Sequence, residues 1–167
     1  MTTRGRIVVA GARLNCRGGD SREDGWIASR PFSSDVAVGH CIGGNGVDEI
    51  HGVAPAKDGS VWITGLTGSR DFPVTIGGPG KQPDYDTQAF IANVDPVSGA
   101  IRFATLLGTD STPRRDISRG YAVAVGADGS IFATGETTGA QLLLPTKGAF
   151  REGQIFESTD VYLVKLR

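Results

Sequence analysis

The sequence predicts an all-β fold assembled from repeated units, on three observations. Residues Asp58-Gly59-Ser60-Val61-Trp62-Ile63-Thr64-Gly65 return seventy positions later as Asp128-Gly129-Ser130-Ile131-Phe132-Ala133-Thr134-Gly135. The apolar segments are short, rich in Val, Ile, Thr and aromatic residues, and bounded by Gly, Asp, Asn or Pro, as suits pleated, half-buried strands. No segment of ten or more residues carries helical periodicity. Repetition at this scale marks an array in which each unit buries its apolar face against the next.

The one complete unit holds four strands, at about 50–56, 60–66, 88–95 and 100–107. Lys57-Asp58-Gly59 joins the first pair, and Asp-Gly is a hairpin signal because the turn needs positive φ. Asp95-Pro96-Val97-Ser98-Gly99 joins the last pair, where proline pre-sets a turn and ends the strand. A long polar connection, 67–87, separates the middle two. Four antiparallel strands with period-matched neighbours describe a β-propeller-type blade.

Upstream, 7–11 reads as a second strand, 25–28 as a third and 36–42 as a fourth. Downstream, 121–125, 131–134 and 161–166 supply strands one to three. The expectation is therefore three, four and three strands, about two and a half blades. They divide as a partial N-terminal blade (1–46), a complete blade (47–109) and a partial C-terminal blade (110–167) of one continuous repeat domain. Trp26, Phe90 and Tyr162 share one repeat position, and Val8, Trp62 and Phe132 another. Large apolar residues recurring in phase are what packing between blades requires.

Composition narrows the function classes. Seventeen basic residues face 18 acidic ones, for a net charge of −1, so the chain lacks the basic stripe of a nucleic-acid binder. Glycine is abundant, at 25 residues, and concentrates at the ends of the apolar runs, where tight turns need it. No run reaches the roughly 18 apolar residues of a membrane helix, and the apolar stretch 7–10 is too brief for a signal peptide. Cys16 and Cys41 are compatible with a disulfide in an oxidising compartment or with two free thiols. The compartment stays open.

The Asp-Gly-Ser-φ-aromatic-φ-Thr-Gly core (φ here an apolar residue), followed by Thr67-Gly68-Ser69-Arg70-Asp71-Phe72-Pro73, resembles the bacterial propeller-repeat family known as SBBP, for seven-bladed β-propeller. Gln88-Ala89-Phe90-Ile91-Ala92-Asn93-Val94 and Asp160-Val161-Tyr162-Leu163-Val164-Lys165-Leu166 are similar to the same family's third strand, and Leu144-Pro145-Thr146-Lys147-Gly148-Ala149-Phe150 to a further segment. The second copy departs at Thr137-Thr138-Gly139-Ala140-Gln141, where Ser and Asp are lost. The resemblance covers 43–167 well and the first forty residues weakly. It implies the propeller fold and a bacterial secreted or cell-surface setting, and it brings no catalytic set with it.

Candidate chemistry is sparse. Gly43-Gly44-Asn45-Gly46-Val47-Asp48-Glu49-Ile50-His51 satisfies the calcium-binding nonapeptide pattern of parallel β-rolls, with Asp48 the candidate ligand. That geometry needs tandem copies, and the favoured reading is a structural hand-over between units. Asp84 and Asp86 flank Tyr85 in the first long connection, and Glu152 and Glu157 lie in the second, 137–159; both read first as solvated loops. Asp71 reads as a turn residue before Phe72-Pro73. His40, His51, Cys16 and Cys41 lack zinc-ligand spacing. His51 aligns with Tyr121 of the next repeat and reads as a packing residue. Gly77-Gly78-Pro79-Gly80-Lys81 lacks the first glycine and the Ser/Thr of a phosphate loop. No cofactor motif is present.

The favoured function is a non-catalytic propeller module that binds a protein or a glycan, or serves as a structural scaffold. Its contacts would be Arg70, Asp84, Tyr85 and Asp86 in the first connection and Gln154 and Glu157 in the second. The alternative is a lyase- or glycosidase-like propeller enzyme with an axial pocket, for which the sequence offers no convergent polar set. Two and a half blades also raise the alternatives of a fragment of a longer array and of a homo-oligomer that closes a ring.

Overall fold

The computed structural model describes residues 2–3, 5–16, 22–76, 87–107, 117–138 and 159–166. Its strands are β1 (Thr2–Thr3), β2 (Arg6–Leu14), β3 (Glu23–Pro31), β4 (Val38–Ile42), β5 (Asp48–Pro55), β6 (Val61–Thr67), β7 (Gln88–Val94), β8 (Ile101–Leu106), β9 (Ser118–Val125), β10 (Ile131–Thr137) and β11 (Asp160–Leu166). They form three antiparallel sheets, ordered β1-β2-β3-β4, β5-β6-β7-β8 and β9-β10-β11. No helix occurs among the described residues, so none is long and apolar enough to cross a membrane.

The first sheet corrects the expected strand count. It has four strands rather than three, because Thr2 and Thr3 pair with Ile7 and Arg6 across a turn at Gly5, whose φ is +73°. Two threonines carry no apolar signal, so the short strand was not legible. β2 and β3 also run further than their apolar centres, pairing in unbroken register from Arg6↔Pro31 to Leu14↔Glu23.

The repeated Asp-Gly-Ser is a turn device. Asp58 Oδ1 accepts from the Ser60 amide at 3.0 Å and the Ser60 hydroxyl at 2.6 Å. Asp128 accepts from the Ser130 amide on Oδ1 at 3.0 Å and from its hydroxyl on Oδ2 at 2.8 Å. Gly59 and Gly129 take the positive φ values, +94° and +86°, that a side chain would resist. The Ser60 hydrogen bond foremost holds Asp58 below the usual carboxylate range. Arg102 then ties this turn to the next hairpin, pairing with Asp58 and Asp95 at 2.8 Å each.

Alternation along the strands gives each sheet two apolar faces. Val61, Ile63, Phe90, Ala92 and Val94 of the second sheet pack on Val8, Ile27 and Ile42 of the first. The opposite face, with Trp62, Ala89, Ile91 and Phe103, packs on Ile131, Ala133, Tyr162 and Val164 of the third. Phe72 enters the first of these cores with its ring 4.7 Å from Phe90, each side chain contributing roughly 2–3 kcal/mol by its burial. Polar pins cross between sheets: Ser29 Oγ donates to Pro96 O at 2.5 Å and Lys57 Nζ to Ala127 O at 2.5 Å.

Cys16 and Cys41 form a disulfide, with Cα atoms 5.8 Å apart. It ties the end of β2 to β4 and decides between the two states that the sequence left open.

The glycine run before β5 is a clamp. Ser69 Oγ accepts from the Gly44 amide at 3.2 Å and the Gly46 amide at 2.7 Å, and donates to Asp48 Oδ2 at 2.6 Å. Asp71 Oδ1 accepts from the Asn45 amide at 2.6 Å. A Cβ on Gly44 would strike Asp71, and one on Gly46 would strike the Gly68 backbone, so glycine is required by close approach. Ser69→Ala leaves two amides and Asp48 without their hydroxyl and is expected to cost about 2 kcal/mol, read as a lower urea midpoint at unchanged m-value.

Candidate functional site

Two bulges set the most distinctive surface of the molecule. In the β5–β6 ladder Ile50 faces Gly65 and Gly52 faces Thr64, so His51 is left out. In the β9–β10 ladder Gly120 faces Gly135 and Ala122 faces Thr134, so Tyr121 is left out. A bulge re-aims the extra residue and tightens the local twist. Here both extra residues are aromatic and equivalent in the repeat, and their rings stack with centroids 5.9 Å apart and planes inclined by 26°.

The Gly of each Thr-Gly pair makes the bulge sterically feasible. A Cβ on Gly65 would lie inside the Glu49 carbonyl oxygen, and one on Gly135 inside that of Arg119. The adjoining threonines hold the next strand in turn: Thr64 Oγ1 donates to Phe90 O at 2.6 Å and Thr134 Oγ1 to Tyr162 O at 2.7 Å. Small residues let the two bulged strands meet, since a Cβ on Gly52 would come within 3.0 Å of the backbone at Tyr121 and Ala122.

Charged groups frame the rings. His51 Nε2 lies 2.9 Å from Glu49 Oε2, and its Nδ1 lies 2.9 Å from Gly120 O, across the boundary between sheets. Arg119 pairs with Glu136 at 2.7 Å. Hydrogen bonding to Glu136 raises the pKa of the Tyr121 hydroxyl, while Tyr121 and then Arg119 lower that of Glu136. Tyr162, whose hydroxyl donates to Arg119 O at 3.1 Å, is pushed up by burial. Tyr121 itself is 46% exposed. The result is an aromatic step flanked by two carboxylates and a guanidinium, able to stack on a ring and to hydrogen-bond polar groups beside it. Both nitrogens of His51 lie against acceptor oxygens of the protein itself.

The residues singled out from the sequence fall differently. Arg70 is exposed in the turn after β6 and already has an interaction partner. Asp84, Tyr85, Asp86, Glu152, Gln154, Glu157 and the 77–81 glycine run lie outside the described residues. Asp48 is fully buried, and its Oδ2 accepts from the Gly44 amide at 2.8 Å and from Ser69. The donors converge on its Oδ2, whereas a calcium site would surround an ion with oxygens. Burial raises its pKa against the pull of these donors, Ser69 first. The zinc alternative loses its ligands, because both cysteines are in the disulfide and His40 Nε2 lies on Val97 O at 2.8 Å. No group of three or more His, Cys, Asp or Glu that could hold a metal occurs among the described residues.

A cleft of about 320 Å³ opens between the second and third sheets, beside Lys57, Asp58, Trp62 and Asn93. Its polar side chains serve the fold: Asn93 Nδ2 donates to Ser60 Oγ at 2.8 Å, Asp58 holds its turn, and Lys57 pins the next hairpin.

His51 and Tyr121 do share a repeat position, as the alignment implied. The alignment missed that the position is a bulge and that it is presented rather than packed away. No shared local pattern marks it, since Gly52 beside the first bulge is matched by Ala122 and Gly120 beside the second by Ile50. No protein-family model matches the chain, and no curated protein matches it significantly.

Proposed function

We propose that the chain is a non-catalytic β-propeller-type repeat module, of the kind its motifs resemble, that recognises a protein or carbohydrate through its bulged first strands. The three sheets read as blades, and β5 and β9 as the strands nearest a common axis. Support comes from the way β9 packs on β5 and β6, and β5 on β2 and β3.

One observation carries the binding reading. Successive sheets place an unpaired aromatic residue, His51 and then Tyr121, at the same point of the ladder and in contact with each other. A bulge re-aims its extra side chain, and bulges are over-represented next to functional sites. Exposed tyrosine between a carboxylate and an arginine is the composition of a recognition surface. The enzyme alternative requires an open acid or base, and the His51–Glu49 pair is closed on the Gly120 carbonyl.

The test is binding of the purified chain to an array of glycans and peptides, repeated with Tyr121→Ala. The expected loss is about thirtyfold in affinity, the effect of truncating an aromatic anchor worth roughly 2 kcal/mol, with the melting temperature unchanged. Absence of any ligand, or binding indifferent to Tyr121, would overturn the reading.

A further inference from the structure

Apart from Tyr121, which stacks on His51, the exposed large apolar residues described in the third sheet share one face. Val161 and Leu163 on β11 are 81% and 72% exposed, and they pair with Glu136 and Thr134 on β10. Phe132 lies in the same row, under the ammonium of Lys165 at 5.2 Å. In the second sheet the matching repeat positions are Ala89, Ile91 and Trp62, and the third sheet covers them. In the first sheet they include Val8 and Ile27, and the second sheet covers those. The same face is thus covered twice within the chain, each time by a sheet of the same kind.

The covering face also repeats. It is Val61, Ile63, Phe90 and Ala92 in the second sheet and Ile131, Ala133, Tyr162 and Val164 in the third. The matching positions of the first sheet are Ile7, Val9, Trp26 and Ala28. Val9 is 49% exposed there, Ile7 and Trp26 are half-buried, Ala28 is buried, and Arg13 lies over the Trp26 ring at 5.8 Å. Among the described strands none packs on this side of the first sheet. One end of the stack therefore presents the face that is covered elsewhere, and the other end presents the face that does the covering.

We propose that the Val161–Leu163 face of one copy docks on the Val9–Trp26 face of a second copy, head to tail, and that two copies close on each other. The contact rests on the sheet-on-sheet packing already present within the chain. Closure rests in addition on the propeller-type reading: the described sheets of two copies, six about one axis, fall within the four to eight of closed propellers. A heterologous contact either closes or runs on, according to its rotation.

The experiment is light scattering behind size exclusion on the full chain, with Leu163→Glu and Val9→Glu made separately. Both side chains are solvent-exposed, so the variants keep their fold, which circular dichroism checks. Wild type is expected at twice the chain mass, and either variant alone at the monomer mass. Mixing the two variants restores a dimer through the one intact pair of faces, which a self-complementary contact could not do. A monomeric wild type, or a dimer that survives both variants, overturns the docking. A concentration-dependent ladder of masses abolished by Leu163→Glu upholds the docking and overturns closure by two copies, while the propeller-type reading stands or falls with the Tyr121 binding test.

Discussion

Replacing Gly65 by alanine is expected to destabilise the protein by about 3 kcal/mol, at the upper end of what overpacking a rigid site costs. The new methyl group would overlap the Glu49 carbonyl oxygen, a backbone atom on the bulged stretch of β5 that cannot swing aside. Relief requires the bulge to flatten, which would return His51 to the ladder and reverse the alternation of the strand beyond it. For a chain of this length the loss corresponds to a fall of roughly 6–12 °C in melting temperature. Gly135→Ala should behave likewise, through the Arg119 carbonyl. The repeat supplies its own control. Gly11 occupies the same repeat position in the first sheet, and a Cβ there meets nothing within 4 Å. Gly11→Ala is therefore expected to be neutral or to stabilise by about 0.5 kcal/mol through the reduced freedom of the unfolded chain. Thermal unfolding of the three variants checks the argument, and a Gly65→Ala protein as stable as Gly11→Ala would sink it.

That contrast shows what was legible in the sequence and what was not. The all-β class, the strands of the second sheet and the Asp-Gly-Ser turns were visible because each follows from local chemistry: alternation, β-branching, and a glycine that must take positive φ. Phe90 and Tyr162 were visible as packing residues because they are large, apolar and in phase, whereas the burial of Phe72 against Phe90 was not. The bulges were not visible, because a ladder irregularity is a relation between two strands and leaves only an extra residue in one of them. The fourth strand of the first sheet was hidden in two threonines. The sequence pointed to long polar connections as the binding surface, on the general rule that loops carry function. The structure instead brings Glu49 and His51 of β5 together with Arg119 and Tyr121 of β9 and Glu136 of β10; Arg119 and Glu136 are 17 positions apart, and no local pattern connects the two strand pairs.

Reducing the Cys16–Cys41 disulfide is expected to remove about 3.5 kcal/mol, the chain-entropy value for a loop closed over a separation of 25 residues. The first sheet is where that loss should be felt. It has a neighbour on only one face among the described strands, and it adds three side chains, Val8, Ile27 and Ile42, to the buried part of the shared core. Cys41 faces Trp26 across the β3–β4 ladder, so the bond lies beside the apolar face proposed for the second copy. Urea unfolding with and without a thiol reductant should show the midpoint falling on reduction, and Cys16→Ser with Cys41→Ser should reproduce it without reductant. Hydrogen exchange then locates the effect: faster exchange in β2–β4 with β6 and β7 unchanged is expected. If the oxidised and reduced proteins unfold at the same urea concentration, the bond constrains a segment that the unfolded chain already holds together, and the entropic argument fails. If the midpoint falls but exchange rises equally in all three sheets, the stack unfolds as one cooperative body, and the disulfide stabilises the whole array through its first member.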